Sequence, residues 1–80
     1  MKKTEFIKSS LIIILEDSKD WIDIRDLTYR ISQRNGSYRI TVNAVARIST
    51  TIPKIQRRKV YSNSTSVTQY RISTDSQVNF

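Results

Sequence analysis

The chain has no cysteine and no histidine, and only one glycine and one proline. Each scarcity closes off a class of chemistry. Without cysteine there is no disulfide framework, no thiolate nucleophile and no thiolate metal site. Without histidine the usual general base and the commonest zinc ligand are both missing. One glycine and one proline among 80 residues argue against a disordered tail or a loop-rich scaffold. Long apolar runs are absent too. Lys2 and Lys3 precede an apolar stretch, but Glu5, Lys8, Ser9 and Ser10 interrupt it, and the uninterrupted run Leu11–Leu15 is five residues long. A secretory core needs about 7–15 apolar residues and a membrane span about 20. A soluble cytoplasmic protein with no membrane partner is therefore expected. At this length one domain fits, burying only about 60% of the surface its unfolded chain exposes.

Carboxylates are scarce in one part of the chain. Fourteen Lys and Arg outnumber seven Asp and Glu, for a net charge of +7, but the excess is uneven. Residues 1–26 carry five bases and six acids, whereas residues 27–80 carry nine bases and a single acid, Asp75. A polyanion meets no repulsive side chain between Asp26 and Asp75, which points to nucleic acid or an anionic surface. Most of those bases are Arg, whose planar fork suits phosphate and guanine edges better than Lys does. A basic surface serving only solubility is the plainer alternative, yet solubility does not require excluding acids from one region.

Periodicity divides the chain. Thr4 to about Asp17 is predicted as a first helix, with Thr4 as N-cap, Glu5 favoured by the helix start, and Phe6, Ile7, Leu11, Ile14 and Leu15 at helical spacing. The run from Leu11 to Leu15 is too apolar for one stripe, so Ile12 or Ile13 is left to face something other than the core. After the polar turn Asp17–Asp20, Trp21-Ile22 forms a short extended piece, and Asp23 caps a second helix from Ile24 to about Gln33. Its inward face is Ile24, Leu27 and Ile31, with Tyr29 and Tyr70 at the core edge, and Asn35-Gly36 ends it in the left-handed conformation. Thr41 caps a third helix to about Ile52, where Pro53 stops it. Val42, Val45, Ile48 and Ile52 share its core face; Asn43, Arg47, Thr50, Thr51 and Lys54 fall opposite. From Arg57 the period becomes two. Arg57–Ser62 and Val67–Ser73 are predicted strands joined by the turn-forming run at 62–66. Val60, Tyr70 and Ile72 face the core; Arg57, Lys59, Tyr61, Gln69 and Arg71 face out. The domain thus spans 1–73, followed by a polar tail, 74–80, expected to be flexible.

This order of helix, short strand, helix, helix, strand, turn, strand resembles the winged-helix, or winged helix-turn-helix, family of DNA-binding domains, an α+β fold of three helices with a C-terminal β-hairpin wing. The resemblance covers about residues 4–73. Its best local match is TVNAVARISTTIPKI (41–55), which is similar to the family's recognition helices: a capping hydroxyl, then aliphatics at helical steps. The Ile-rich, Ala-poor composition looks like that of small regulators from archaea, their viruses or low-GC bacteria and phages, which would place the protein in the host cytoplasm if viral. The resemblance implies a third helix whose outward face enters the major groove of double-stranded DNA. Side-chain chemistry supports the same positions. Arg47 can pair bidentately with guanine and Asn43 with adenine, while Thr50 or Thr51 can meet phosphate or a thymine methyl. Arg57, Arg58 and Lys59 form the densest basic cluster. Since successive strand residues alternate faces, Arg57 and Lys59 are expected to act together on phosphate. Lys54, Arg71 and, ahead of the third helix, Tyr38 and Arg39 complete the candidate contacts. The family often places a base at its wing tip for the minor groove; SNSTS has none, so only hydroxyl and amide contacts to phosphate are expected there.

A transcriptional regulator follows from this reading. It is a homodimer through the surplus aliphatics Ile12 and Ile13 of helix one, binding an inverted repeat with half-sites about one turn apart. Catalysis is not expected, and neither a cofactor nor a small-molecule ligand is implied. Glu16, Asp17, Asp20, Asp23 and Asp26 could hold a hard cation, but the glycine that a calcium loop needs is missing and two of them suit a helix start, so no metal is expected. Tyr among Arg could also stack on single-stranded bases. The alternative from another class is a winged-helix module that docks on a protein, such as an accessory subunit of a nucleic-acid enzyme.

Overall fold

The elements follow in the order α1 (Lys3–Ser18), β1 (Ile22–Asp23), α2 (Ile24–Arg34), α3 (Val42–Ser49), β2 (Ile55–Ser62) and β3 (Thr65–Ile72). The computed structural model describes residues 2–73, so the tail assigned to 74–80 lies outside them. The fold is α+β: three helices against a three-stranded antiparallel sheet in the order β1-β3-β2. Among the described residues no helix is long and apolar enough to cross a membrane.

α1 begins at Lys3, one residue before the expected cap. Lys2 holds the cap position without a side-chain bond, and the Phe6 amide donates to the Lys2 carbonyl at 2.9 Å. Thr4 therefore lies inside the first turn. Packing of the apolar stripe, rather than capping, carries this helix: Phe6, Ile7, Leu11 and Leu15 are buried. Ser10 shares the stripe, wholly buried, with its hydroxyl unpaired among the described residues. Ile12 and Ile14 pack partly against the core, while Ile13 remains 47% exposed. The helix closes on Lys19, whose φ of 56° is left-handed and whose amide returns to the Leu15 carbonyl at 3.1 Å.

α2 starts where expected, but Asp23 does not cap it through its side chain. Its carboxylate instead accepts from Gln69 Nε2 at 2.7 Å, from the paired strand β3. Leu27 and Ile31 are buried, Ile24 is partly so, and Tyr29, expected at the core edge, is 63% exposed. The helix does not end left-handed at Asn35-Gly36. Asn35 is extended at φ −158°, its Oδ1 accepts from the Ser37 amide at 2.9 Å, and its carbonyl accepts from the Tyr38 amide at 3.3 Å. A side-chain turn thus does what a left-handed glycine was expected to do.

Thr41 does cap α3, accepting from the Ala44 amide at 3.1 Å. The helix stops at Ser49 instead of near Ile52. Ser49, Thr50 and Thr51 each donate a hydroxyl hydrogen bond at 2.7 Å to the carbonyl three residues back. The amides of Thr50, Thr51 and Ile52 tighten to the same three-residue spacing. Three successive hydroxyl residues thus satisfy the last-turn carbonyls in a tighter coil, ending the α-helix before Pro53 acts. The core face shrinks accordingly. Val45 and Ile48 are buried and Ile52 is partly buried, but Val42, expected in the core, is 40% exposed.

The hairpin differs most from expectation. Its strands are longer and its turn is two residues, Asn63-Ser64, with φ of 50° and 70°. Positive φ at both central residues is the mark of a type I′ turn, whose twist matches that of the flanking strands. Ser62 then pairs with Thr65, Val60 with Val67 and Arg57 with Tyr70. A five-residue loop had implied the opposite parity, and a one-residue change of register turns every side chain of a strand over. Val60 therefore lies on the outer face, 36% exposed, away from the core face of Tyr70 and Ile72. Arg57, Lys59 and Tyr61 lie on the helix side. Gln69 and Arg71 face out as expected, joined by Arg58.

Two residues are mismatched to their backbones in opposite directions. Ser64 sits at φ 70°, whereas Gly36, with no positive φ, has open space where a Cβ would stand. We expect Ser64→Gly and Gly36→Ala each to raise stability by about 0.4–1 kcal/mol, which chemical denaturation would measure. A loss of stability in both would contradict the turn assignment.

Candidate nucleic-acid interface

The interface candidates derive from α3, its preceding connector and β2. Asn43, Ala46 and Arg47 fall on one side of α3 at helical spacing, and Asn43 and Arg47 are exposed. Across from Ala46, the hairpin's helix side presents Arg57, Lys59, Thr68 and Tyr70, and these residues, with Arg58 reaching the edge from the strand's other face, line a cleft of about 440 Å³. Tyr70 is buried and forms the floor against the core, while Arg57 and Lys59 are exposed. No carboxylate exists between Asp26 and Asp75, so α3 and β2 carry none. Among the described residues the one ion pair is Arg30 with Asp26, at 3.2 Å on α2. The cations of the cleft are thus not neutralised by the fold. In the free protein they are a field that a polyanion can occupy.

The candidate contacts do not all gather there. Asn43, Arg47, Arg57 and Lys59 belong to α3 and the helix side of the hairpin. Arg39 is exposed in the connector immediately before α3. Thr50 and Thr51 lie beyond the last helical residue, with their hydroxyl protons committed to backbone carbonyls at 2.7 Å. Tyr38 is half-buried and packs against Phe6, with ring centroids 5.0 Å apart. Lys54 lines a different groove of about 360 Å³, with Ile12, Glu16, Ile52, Pro53 and Ile72. Arg71 lies on the opposite face of the sheet, where its Nη2 donates to Gln56 Oε1 at 3.0 Å.

Two further hairpin residues join the candidates. Tyr61, 75% exposed, follows Arg57 and Lys59 along the same face towards the turn. Its alternation with the two bases was visible, but the loop parity that places all three beside α3 was not. Arg58, the odd member of its triplet by strand alternation, faces Trp21 from the outer side, 4.2 Å from the ring centroid.

The acids have their own roles. Asp20 accepts from the Trp21 amide at 2.7 Å, Asp23 from Gln69, and Asp26 pairs with Arg30. Among the described residues no group of three or more carboxylates converges as a metal site would require. The two aliphatics assigned to a dimer seam separate: Ile12 turns partly into the core and the Lys54 groove, and Ile13 outwards. No family model, curated protein or solved structure matches this chain.

Proposed function

We propose that the protein binds double-stranded DNA sequence-specifically as a winged-helix transcriptional regulator, with α3 in the major groove and the helix side of the hairpin on phosphates. The observation that carries this reading is the placement of Arg57 and Lys59 across a cleft from α3, with no carboxylate on either element. The strand order β1-β3-β2 with a C-terminal hairpin suits the same fold. In this arrangement Arg47 and Asn43 read base edges, and Arg57, Lys59 and Arg39 anchor the backbone. Regulation is by occupancy. A homodimer joined around Ile13 would place two such helices on an inverted repeat.

Band-shift titration across salt tests it. With several phosphates neutralised, log affinity falls linearly with log salt at a slope of about −0.9 per contact. Lys59→Ala should shallow that slope by about 1 and weaken all sequences alike, whereas Arg47→Ala should lose about 1–3 kcal/mol at one base position and relax preference there. Affinity insensitive to salt refutes the electrostatic anchor. Identical effects of the two substitutions refute the division between reading and anchoring.

One feature favours a second reading. Ile12, Ile52, Pro53 and Ile72, flanked by Glu16 and Lys54, line a mostly apolar groove, and Ile13 of the same helix is exposed, surfaces suited to a protein partner. A monomer on gel filtration with no DNA affinity would make a protein-docking module the better account.

A further inference from the structure

We propose that the outer face of the sheet is a second phosphodiester-binding site, built on Trp21, Arg58 and Arg71, so that the hairpin engages nucleic-acid backbone on both faces. The proposal rests on the reading of the protein as a DNA-binding domain and adds a site to it.

The register sets the face. Arg58 pairs with Gln69 and Gln56 with Arg71 on β2 and β3, while Asp23 of β1 pairs with Gln69. Antiparallel partners share a face, so these side chains lie together, away from the helices. The guanidinium carbons of Arg58 and Arg71 stand 4.2 and 4.7 Å from the centroid of the Trp21 ring. Glutamine oxygens hold both forks: Arg58 Nε donates to Gln69 Oε1 at 2.8 Å, and Arg71 donates to Gln56 Oε1 through Nε and Nη2 at 3.3 and 3.0 Å. Gln69 in turn donates to Asp23 at 2.7 Å. Asp23, the carboxylate that the register places on this face, is thus used by an amide, and neither arginine has an acidic partner among the described residues.

Two observations separate a ligand site from simple cover for a tryptophan. First, two like charges converge on one ring with no counter-ion among the described residues, a repulsion that a bound anion would relieve. Second, both side chains are already ordered by stacking and by neutral acceptors. Arg58 Nη1 and Nη2 and Arg71 Nη1 are left without partners among the described residues. Guanidinium edges presented in this way match phosphate oxygens bidentately, and pre-ordering lowers the entropy lost on binding. Guanidinium groups over the ring compete with a base for Trp21, and their free edges make backbone phosphate the ligand that fits.

Trp21 is the chain's single tryptophan, so its emission reports on this site directly. The full chain and an Arg57→Glu/Lys59→Glu variant would each be titrated with a short duplex at low salt. A saturable change in Trp21 emission is expected in both. It should vanish in Arg58→Gln/Arg71→Gln, and Arg71→Gln alone, which lies outside the helix-side cleft, should weaken it at least threefold while its band shift persists within about threefold. If the double variant does not fold, the exposed position Arg58→Gln alone should weaken the emission response at least threefold. A bead-bound duplex that captures a second, labelled duplex through the wild-type chain, but not through Arg58→Gln/Arg71→Gln, assigns the site to a second duplex. No capture, with the emission change retained, assigns it to the other backbone of the same duplex. Emission unchanged in Arg57→Glu/Lys59→Glu, or an undiminished response in Arg58→Gln/Arg71→Gln, overturns the proposal while leaving the helix-side interface standing. Absence of any band shift in the wild type overturns the reading beneath it.

Discussion

Replacing Arg57 and Lys59 together by Glu is expected to reduce duplex affinity on the order of 100-fold or more at low salt, while leaving the fold intact. Both side chains are exposed, and their strand partners, Tyr70 and Thr68, carry no charge. The substitution therefore breaks no ion pair and buries no new charge. Stability should stay within about 0.5 kcal/mol of the wild type, as for most surface changes. The salt slope supplies the internal check, because removing two phosphate contacts shallows it by about 1.8. The same reversal at Arg25 and Arg30, exposed on α2, keeps the net charge equal to that of the first variant. If it lowers affinity as far, the effect comes from overall charge and the cleft has no special role. Comparing the two variants at one ionic strength by band shift decides the matter.

The largest effect on stability should come from Leu27→Ala. Leu27 is 0% exposed, on the helix that packs against α1, α3 and the sheet. Truncating a leucine in such a setting costs about 2–5 kcal/mol, from lost transfer energy and the cavity left behind. A chain of this size holds roughly 4–12 kcal/mol in total. The variant should therefore melt about 10–30 °C lower or fail to fold, as followed by circular dichroism. Val42→Ala is the contrast. By sequence pattern Val42 belongs with Val45 and Ile48, yet it is 40% exposed. Its loss should cost about 0.5 kcal/mol, and a cost equal to that of Leu27 would place Val42 back in the core.

These two experiments probe opposite faces of the same architecture. The buried residues come from every element except β2: Phe6, Ile7, Leu11 and Leu15 from α1, Ile22 from β1, Leu27 and Ile31 from α2, Val45 and Ile48 from α3, and Tyr70 and Ile72 from β3. β2 contributes a single half-buried residue, Ile55, opposite Ile72. The rest of β2 extends beyond the core with both faces exposed. A strand freed of packing duty can carry charge on either side, which is why the hairpin is where the bases concentrate.

The sequence alone determined the helical elements and most of the core. Apolar residues at steps of three and four mark α1, α2 and α3 through a periodicity internal to each segment, needing no knowledge of neighbours. The charge division was equally plain, since it is a count along the chain. What the sequence could not decide was anything set by a partner. Asp23 was legible as a helix cap but is drawn away by Gln69, a residue far along the chain. Val42 lies at a core spacing yet beyond the reach of the other elements. The faces of β2 hung on whether its turn took two residues or five, a difference with little local signal because Asn, Ser and Thr serve either length. Once Asn63 and Ser64 adopt the left-handed turn, strand parity puts Arg57 and Lys59 beside α3 and sends Arg58 and Arg71 to Trp21. Composition made the hairpin basic. Only pairing in three dimensions decided which of its bases face the helix and which face away, because a strand has no inside until another strand fixes its register.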